Sequence, residues 1–364
     1  MRTSPSVVHK VNDYSCLRLY PRAHRSCARA QRRRSKGIVG LALPLFFVLQ
    51  AALGWRMECA KPEQVDAAFG ARLKLLRRQI ALRPGDPLVL MLGSSRTMTG
   101  FRPDMLKDRP YVAFNFGREG SGPVKNLIHV RRLLEEGIRP DLLVVDITVP
   151  GLAIRGDVPA ETQWVDGALL QRGERRLLEK YHDRSWRVLG QWFLARAFPS
   201  FACNRTLSAC LSLHRLTGFN WFENVPGMDE WGYAPMFFFV TPEQRGPLTK
   251  LALDQYAFLG DEDHVSPAAC RAVRDLIDLC QAKHIPLVLV AMPEGTSFHA
   301  LYRPQFMAEV NQFLAGVAAT GTPLIDARKW LADDEFFDQH HQLPTGGLRF
   351  THRLEEAIRH LLPG

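Results

Sequence analysis

Apolar residues in this chain gather in short unbroken runs of strand length, at 87–92, 111–116, 142–147, 286–292 and 322–325. Helical periodicity takes over at 122–136, 266–283, 303–318 and 345–362. Continuous apolar runs fit strands buried on both faces, and their alternation with helices predicts a parallel sheet covered on both sides. The expected fold is α/β: a three-layer α/β/α sandwich around five parallel strands in a doubly wound, flavodoxin-like order.

Between about 152 and 262 the alternation stops. Residues 160–198 read as helical, rich in Arg, Trp and Leu; residues 219–240 read as an aromatic loop containing Trp221, Phe222, Trp231, Tyr233, Phe237, Phe238 and Phe239. An insertion this long exceeds a simple crossover. It is either a packed, mostly helical subdomain or one that also roofs a site on the sheet.

Ahead of the first strand the pattern changes twice. Residues 61–83 form an amphipathic helix, with Val65, Phe69, Leu73 and Ile80 among Arg and Lys, expected to connect to the main domain within a 56–85 segment. Residues 37–55 carry no charge, about the length a bilayer crossing needs. Residues 1–36 before them hold ten basic groups and one acid, Asp13. That asymmetry predicts a cytoplasmic tail over 1–36, a transmembrane helix over 37–55 and an exported remainder, periplasmic or extracellular. A cleaved signal peptide is the rival, through the small residues around Ala52 and Gly54.

Charge changes the picture once. The formal charge of +10 suggests a nucleic-acid partner, but beyond residue 36 the chain carries 37 basic and 36 acidic groups. The basicity is local, and nucleic acid is excluded as the expected partner. The seven cysteines form no C-x-x-C and no zinc-ligand spacing, and Cys270 and Cys280 sit too far apart on one helix to bridge. No metal and no organic cofactor is expected.

Two segments carry candidate chemistry. Residues 88–96, Leu-Val-Leu-Met-Leu-Gly-Ser-Ser-Arg, end a strand in Ser94 and Ser95. In open parallel sheets, ligands bind at this carboxyl edge. Residues 336–347, Phe-Phe-Asp-Gln-His-His-Gln-Leu-Pro-Thr-Gly-Gly, set Asp338, His340 and His341 in a bend before the last helix. An Asp three residues before a His can hold the imidazole in one tautomer. Jointly they offer a nucleophile, a base and an orienting acid, the set that acyl transfer needs.

On these residues the chain resembles the SGNH (GDSL-like) hydrolase superfamily, over roughly 86–150 and 284–360. More closely it resembles a membrane-anchored bacterial branch with Gly-Ser-Ser-Arg in its first block, related to alginate O-acetyltransferase-like proteins and to the teichoic-acid D-alanylation protein. The resemblance makes 86–364 one hydrolase-like domain with the insertion 152–262. It implies that Ser95, last of Gly93-Ser94-Ser95, is the nucleophile. Asp338 and His341 match the Asp-x-x-His block, with His340 left for packing or a supporting hydrogen bond. Asn115-Phe-Gly-Arg-Glu-Gly120 matches the second block, so the N–H groups of Ser95 and Gly120 would form the oxyanion hole, with Gly117 as a near rival.

The third block departs from the family. Val145-Asp146-Ile-Thr148-Val-Pro150-Gly151 offers no Asn, so Thr148, Arg96 or the insertion would have to supply the third donor. Asp146, Arg96 and Glu294 are further pocket candidates; each could equally be a capping, ion-pairing or turn residue.

The expected function is a membrane-anchored serine esterase or O-acyltransferase. It would act on an acylated envelope glycan or small ester, with envelope proteins as further partners. The alternative is a non-catalytic envelope scaffold or polysaccharide-binding protein that keeps the fold. The anchored branch, the glycan and the partners come from the resemblance alone.

Overall fold

The computed structural model describes residues 21–156, 158–181, 186–202, 227–261 and 264–362. Two units separate, Met1–Ala52 and Leu53–Gly364.

In the first unit the apolar stretch belongs to a helix, Pro21–Glu58, that begins inside the basic run. Its Ile38–Glu58 part has a mean hydropathy of 2.0, long and apolar enough to cross a membrane. Leu41, Leu45 and Val48 are all exposed, which suits lipid and not water.

The second unit is built on five parallel strands: β1 (Leu88–Gly93), β2 (Val112–Gly117), β3 (Leu142–Ile147), β6 (Leu287–Ala291) and β7 (Leu324–Asp326). Two-residue strands β4 (Ile154–Arg155) and β5 (Val158–Pro159) form a small separate hairpin. The main sheet runs β2-β1-β3-β6-β7, the flavodoxin-like order. β1 sits between β2 and β3, so its carboxyl end lies at the switch point where the order reverses.

Alternation along β1 shows why both faces are apolar. Leu88, Leu90 and Leu92 join one core with Phe69, Leu73 and Leu76 of the helix Ala67–Leu82 and with the helices Pro123–Glu135, Pro267–Ala282 and Pro304–Ala319. Val89 and Met91 join the opposite core with Phe350, Leu354 and Ile358 of the helix Pro344–Ile358. Successive strand side chains point to opposite faces, so a sheet covered twice needs no polar residue between its ends.

The segment expected to connect the domain to the membrane also packs into the core. Phe69, Leu73 and Leu76 are fully buried, and Phe69 packs edge-on against Phe116 of β2. Asp66 caps that helix through the Phe69 N–H and also accepts from Arg118 and Arg132, so the segment is tied to the sheet by buried charge as well.

The insertion is partly helical, as expected, with Arg172–Tyr181, Trp186–Ala197 and Pro199–Ala202. Residues 203–226 lie outside the description, and with them Trp221 and Phe222. Residues 227–241 form an irregular crossing that leads into the helix Pro242–Gln255. Asn115 donates its N–H to Trp231 O, and Ala234 donates to Met98 O, so this crossing lies along the edge of β2.

Candidate active site

From residue 88 to residue 101 every side chain is buried except that of Ser95. The chain leaves β1 at Gly93 and turns at once into a short helix, Ser95–Gly100. A Cβ at Gly93 would meet the Asp146 carboxylate at 2.3 Å and Thr97 Oγ1 at 2.4 Å, so only glycine allows the turn to pass this close to β3. Ser94 caps the short helix by accepting the Arg96 N–H.

Asp146, at the end of β3, fixes the turn from beneath. Its Oδ2 accepts from the Ser94 N–H (2.7 Å), the Ser94 hydroxyl (2.8 Å) and the Thr97 hydroxyl (2.6 Å). Burial raises its pKa, opposed by these hydrogen bonds and by Arg96. Asp146 thus holds the serine turn and is not among the pocket-lining residues.

Opposite lies the bend 336–342. Phe336 and Gln342 pair across it, and the Phe337 N–H donates to His341 O at 3.1 Å. Gln339 takes a φ of 74°, which lets the chain double back inside one turn. Asp338 Oδ1 accepts the N–H groups of His340 (3.1 Å) and His341 (2.8 Å), which leaves Oδ2 for the His341 ring.

Ser95 Oγ lies 2.8 Å from His341 Nε2, and His341 Nδ1 lies 2.7 Å from Asp338 Oδ2. With Nδ1–H donated to the carboxylate, Nε2 is free to accept from the serine hydroxyl. Burial alone would raise the Asp338 pKa, but the facing His341 and His340 outweigh it and hold the carboxyl well below its usual range. Phe337 stacks on His341 (centroids 5.4 Å, planes 12° apart) and itself takes the edge of Phe237. The imidazole is therefore fixed by packing and hydrogen bonds together.

His340 serves differently. Burial, and then repulsion from His341, push its pKa well below the usual value, so the ring is neutral. It packs between Phe298 and Tyr256. Asp338, His340 and His341 bring donor atoms within 4.8 Å of one another, a set a metal ion could use. The hydrogen bonds just described occupy Asp338 Oδ2 and both nitrogens of His341, so the geometry is that of a proton relay.

A cavity of about 330 Å³ opens over Ser95. Ser94, Ser95, Arg96, Gly120, Thr148, His340 and His341 line it, as read from the sequence. Gly120 takes a φ of 60° and packs so closely on Trp164 that a Cβ would come within 2.5 Å of the indole's own Cβ. Among the described residues the N–H groups of Ser95 and Gly120 have no acceptor, and the Thr148 hydroxyl has no partner. Ser95, Gly120 and Thr148 therefore line one cavity, each with a donor that has no acceptor among the described residues.

Four expected pocket residues do not line the cavity. Asp146 lies beneath the turn, for the reason given. Asn115 is fully buried and uses its amide on the carbonyls of Thr97 (2.8 Å) and Phe101 (2.6 Å), pinning the short helix to β2. Gly117 has its N–H taken by Asn115 Oδ1 at 2.8 Å, which removes it as an oxyanion donor. Glu294 is buried behind the wall, paired with Arg96 and accepting from the Tyr302 hydroxyl at 2.7 Å. That pair decides the open reading of Arg96: its acid is a buried one, and the guanidinium also lies over the Phe298 ring.

Glu119, Ser121 and Pro150 also line it, and Trp164, Met236, Gln255 and Tyr256 come from the insertion. The insertion thus roofs the site. Nothing in the order of residues brings these four over Ser95, and of them only Met236 lies in the aromatic stretch 219–240.

No family model matches this sequence, and no curated protein does either. Matches among solved structures include a Bacteroides fragilis protein assigned as an acylhydrolase: identity is 12%, coverage 80% of this chain and 98% of that one, and the TM-score 0.39. A GDSL-like lipase from Bacteroides thetaiotaomicron gives 11%, 81%, 100% and 0.37. LAE5, an α/β hydrolase from the metagenome of Lake Arreo in Spain, gives 12%, 76%, 97% and 0.30. The reading of the site rests on its own geometry.

Proposed function

We propose that this chain is a serine acyl hydrolase or acyltransferase of the SGNH type, working through an acyl-serine. The observation that carries the proposal is the continuous relay Ser95–His341–Asp338, 2.8 Å and 2.7 Å, at the switch point of a parallel sheet and open to a cavity.

In the reaction, the Ser95 hydroxyl attacks the ester carbonyl while His341 Nε2 takes its proton. The carbonyl oxygen gains charge as the tetrahedral intermediate forms. It is held by the N–H groups of Ser95 and Gly120, with the Thr148 hydroxyl in the place where the family has an Asn. Donors fixed in advance around that oxygen are commonly worth about 3–4 kcal/mol each. His341 then gives its proton to the leaving alcohol. Asp338 stabilises the imidazolium and keeps the ring's orientation. Water, or a hydroxyl of an acceptor, completes the cycle by attacking the acyl-serine.

An acylated glycan or small ester of the cell envelope is the proposed substrate. Support comes from the apolar helix at 38–58 behind a basic flank, which suits a single-pass protein whose N-terminus stays in the cytoplasm and whose domain is exported.

The test is covalent labelling of the full chain in detergent with a fluorophosphonate, beside Ser95→Ala. Labelling that depends on Ser95 establishes an activated serine. Folded wild-type protein that hydrolyses no aryl acetate and takes no label would sink the proposal and favour a scaffold with a retained fold.

A further inference from the structure

A second cavity, about 320 Å³, lies beside the first and shares Glu119 and Trp164 with it as a common wall. Its other walls set four cations, Arg72, Arg118, Lys125 and Arg132, among Asp66, Asp166, His129 and apolar side chains.

Two of these cations are matched. Asp66 takes Arg118 through both oxygens, at 2.7 and 2.8 Å, and Arg132 at 2.9 Å; Arg132 also pairs with Glu174. The other two are not. Lys125 Nζ reaches only the carbonyl of Glu119, at 3.1 Å. Arg72 is 2% exposed, and its Nε and Nη2 find no hydrogen-bond partner among the described residues. Of the other acids, Asp166 is committed to the Ala168 N–H; the exposed Glu119 acts on Arg72, and the buried Glu161 on Lys125, without a side-chain hydrogen bond to either. His129 receives Arg118 Nη1 at 2.9 Å and is held neutral by burial and by Arg118.

A guanidinium is not ordinarily buried without an acid, because the lost hydration has no return. Burial and the neighbouring Arg118 push the Arg72 pKa down to about 9, and burial and Arg118 push Lys125 down to about 8. Both shifts describe a charge excess that an entering anion would relieve. Asp66 offsets it only in part, being already shared by two arginines.

We propose that this cavity is an oxyanion-binding subsite, in which Arg72 and Lys125 hold a carboxylate or phosphate-type group. Its place across the Glu119–Trp164 wall suits an anionic group carried by the molecule whose ester lies at Ser95. This use of the subsite rests on the proposed serine chemistry; the binding itself does not.

The test is calorimetric titration of the full chain in detergent with inorganic phosphate. Wild type and Ser95→Ala bind it equally. Arg72→Gln, checked for folding by circular dichroism, weakens binding roughly ten- to hundredfold, as loss of a charge-assisted hydrogen bond requires. Ala68→Glu gives a second variant: residue 68 lines the cavity in the first turn of its helix, where an acid is tolerated, and its carboxylate competes with the ligand. Phosphate that fails to bind wild type, or binds both variants as tightly, overturns the subsite whatever the fluorophosphonate result. Phosphate that competes with an anionic aryl ester but not a neutral one identifies the source as the substrate; inhibition of neither identifies a free anion.

Discussion

The carboxylate of Asp146 receives both the amide and the hydroxyl of Ser94, and through that residue it sets where Ser95 stands. Replacing Asp146 by Ala strands buried donors on Ser94 and Thr97. The expected cost is about 3 kcal/mol, each unsatisfied donor contributing on the order of 1–3. Since the turn carries the proposed nucleophile, kcat is expected to fall more than KM rises. Thermal unfolding and steady-state kinetics check both parts; wild-type kcat in Asp146→Ala would refute the positioning role.

Asp338→Asn preserves shape but offers the His341 ring an amide in place of a carboxylate. The ring then turns to the tautomer that cannot accept from Ser95, and kcat falls by about 10⁴-fold. The pH dependence of stability follows from the depressed carboxyl pKa. A group whose folded pKa lies below its unfolded value of about 3.9 stabilises fully above that value and ceases to do so as pH drops through the folded one. The stability gap between wild type and Asp338→Asn should therefore stay level down to about pH 4 and narrow progressively below it. A constant gap in denaturant titrations would contradict it.

Gly120→Ala meets two obstacles: a left-handed φ and the Trp164 side chain. The turn must shift, and an oxyanion donor moves with it. Expected is a loss of about 10²–10³ in kcat with little change in KM. Unchanged turnover of an aryl acetate would remove Gly120 from the oxyanion hole.

Thr148→Val tests the replacement for the absent Asn. The swap keeps the branched shape and deletes the hydroxyl. A drop of about 10²-fold in kcat is expected if that hydroxyl serves the oxyanion. An undiminished rate would leave two backbone donors as the whole hole.

Glu294→Gln leaves the Arg96 guanidinium buried opposite an amide. Breaking one half of a buried pair costs about 3–5 kcal/mol, far more than the pair's net worth. The prediction is a marked fall in midpoint in urea titrations, and a double variant Arg96→Met, Glu294→Leu that regains much of it.

The strands and the flanking helices were legible because each is long, apolar and periodic. Every sheet strand begins or ends within two residues of its apolar run, and the helix Pro267–Ala282 within one. Gly93 and the Asp338-to-His341 spacing were legible because such local geometry is written in adjacent residues. Asn115 was misplaced because its partners, Thr97 and Phe101, lie on another element; an amide inside Val-Ala-Phe-Asn-Phe-Gly was nonetheless the sign of a buried, satisfied group. The core role of the helix at 67–82 was not legible, because Arg72 is buried and Asp66 gathers Arg118 and Arg132 from distant positions. Such long-range pairing has no signature in the order of residues.

The roof contributed by Trp164, Met236 and Tyr256 sets a limit on chain length. A space of about 330 Å³ holds on the order of ten water-sized groups, at about 30 Å³ each. A short acyl group and part of an alcohol fill it, and the tail of a fatty acyl group would have to run out through its open side. Turnover along a series of straight-chain p-nitrophenyl esters should therefore favour two to four carbons, by estimate from that volume at about 30 Å³ per group; a profile flat to long chains would show that the insertion does not select the acyl donor.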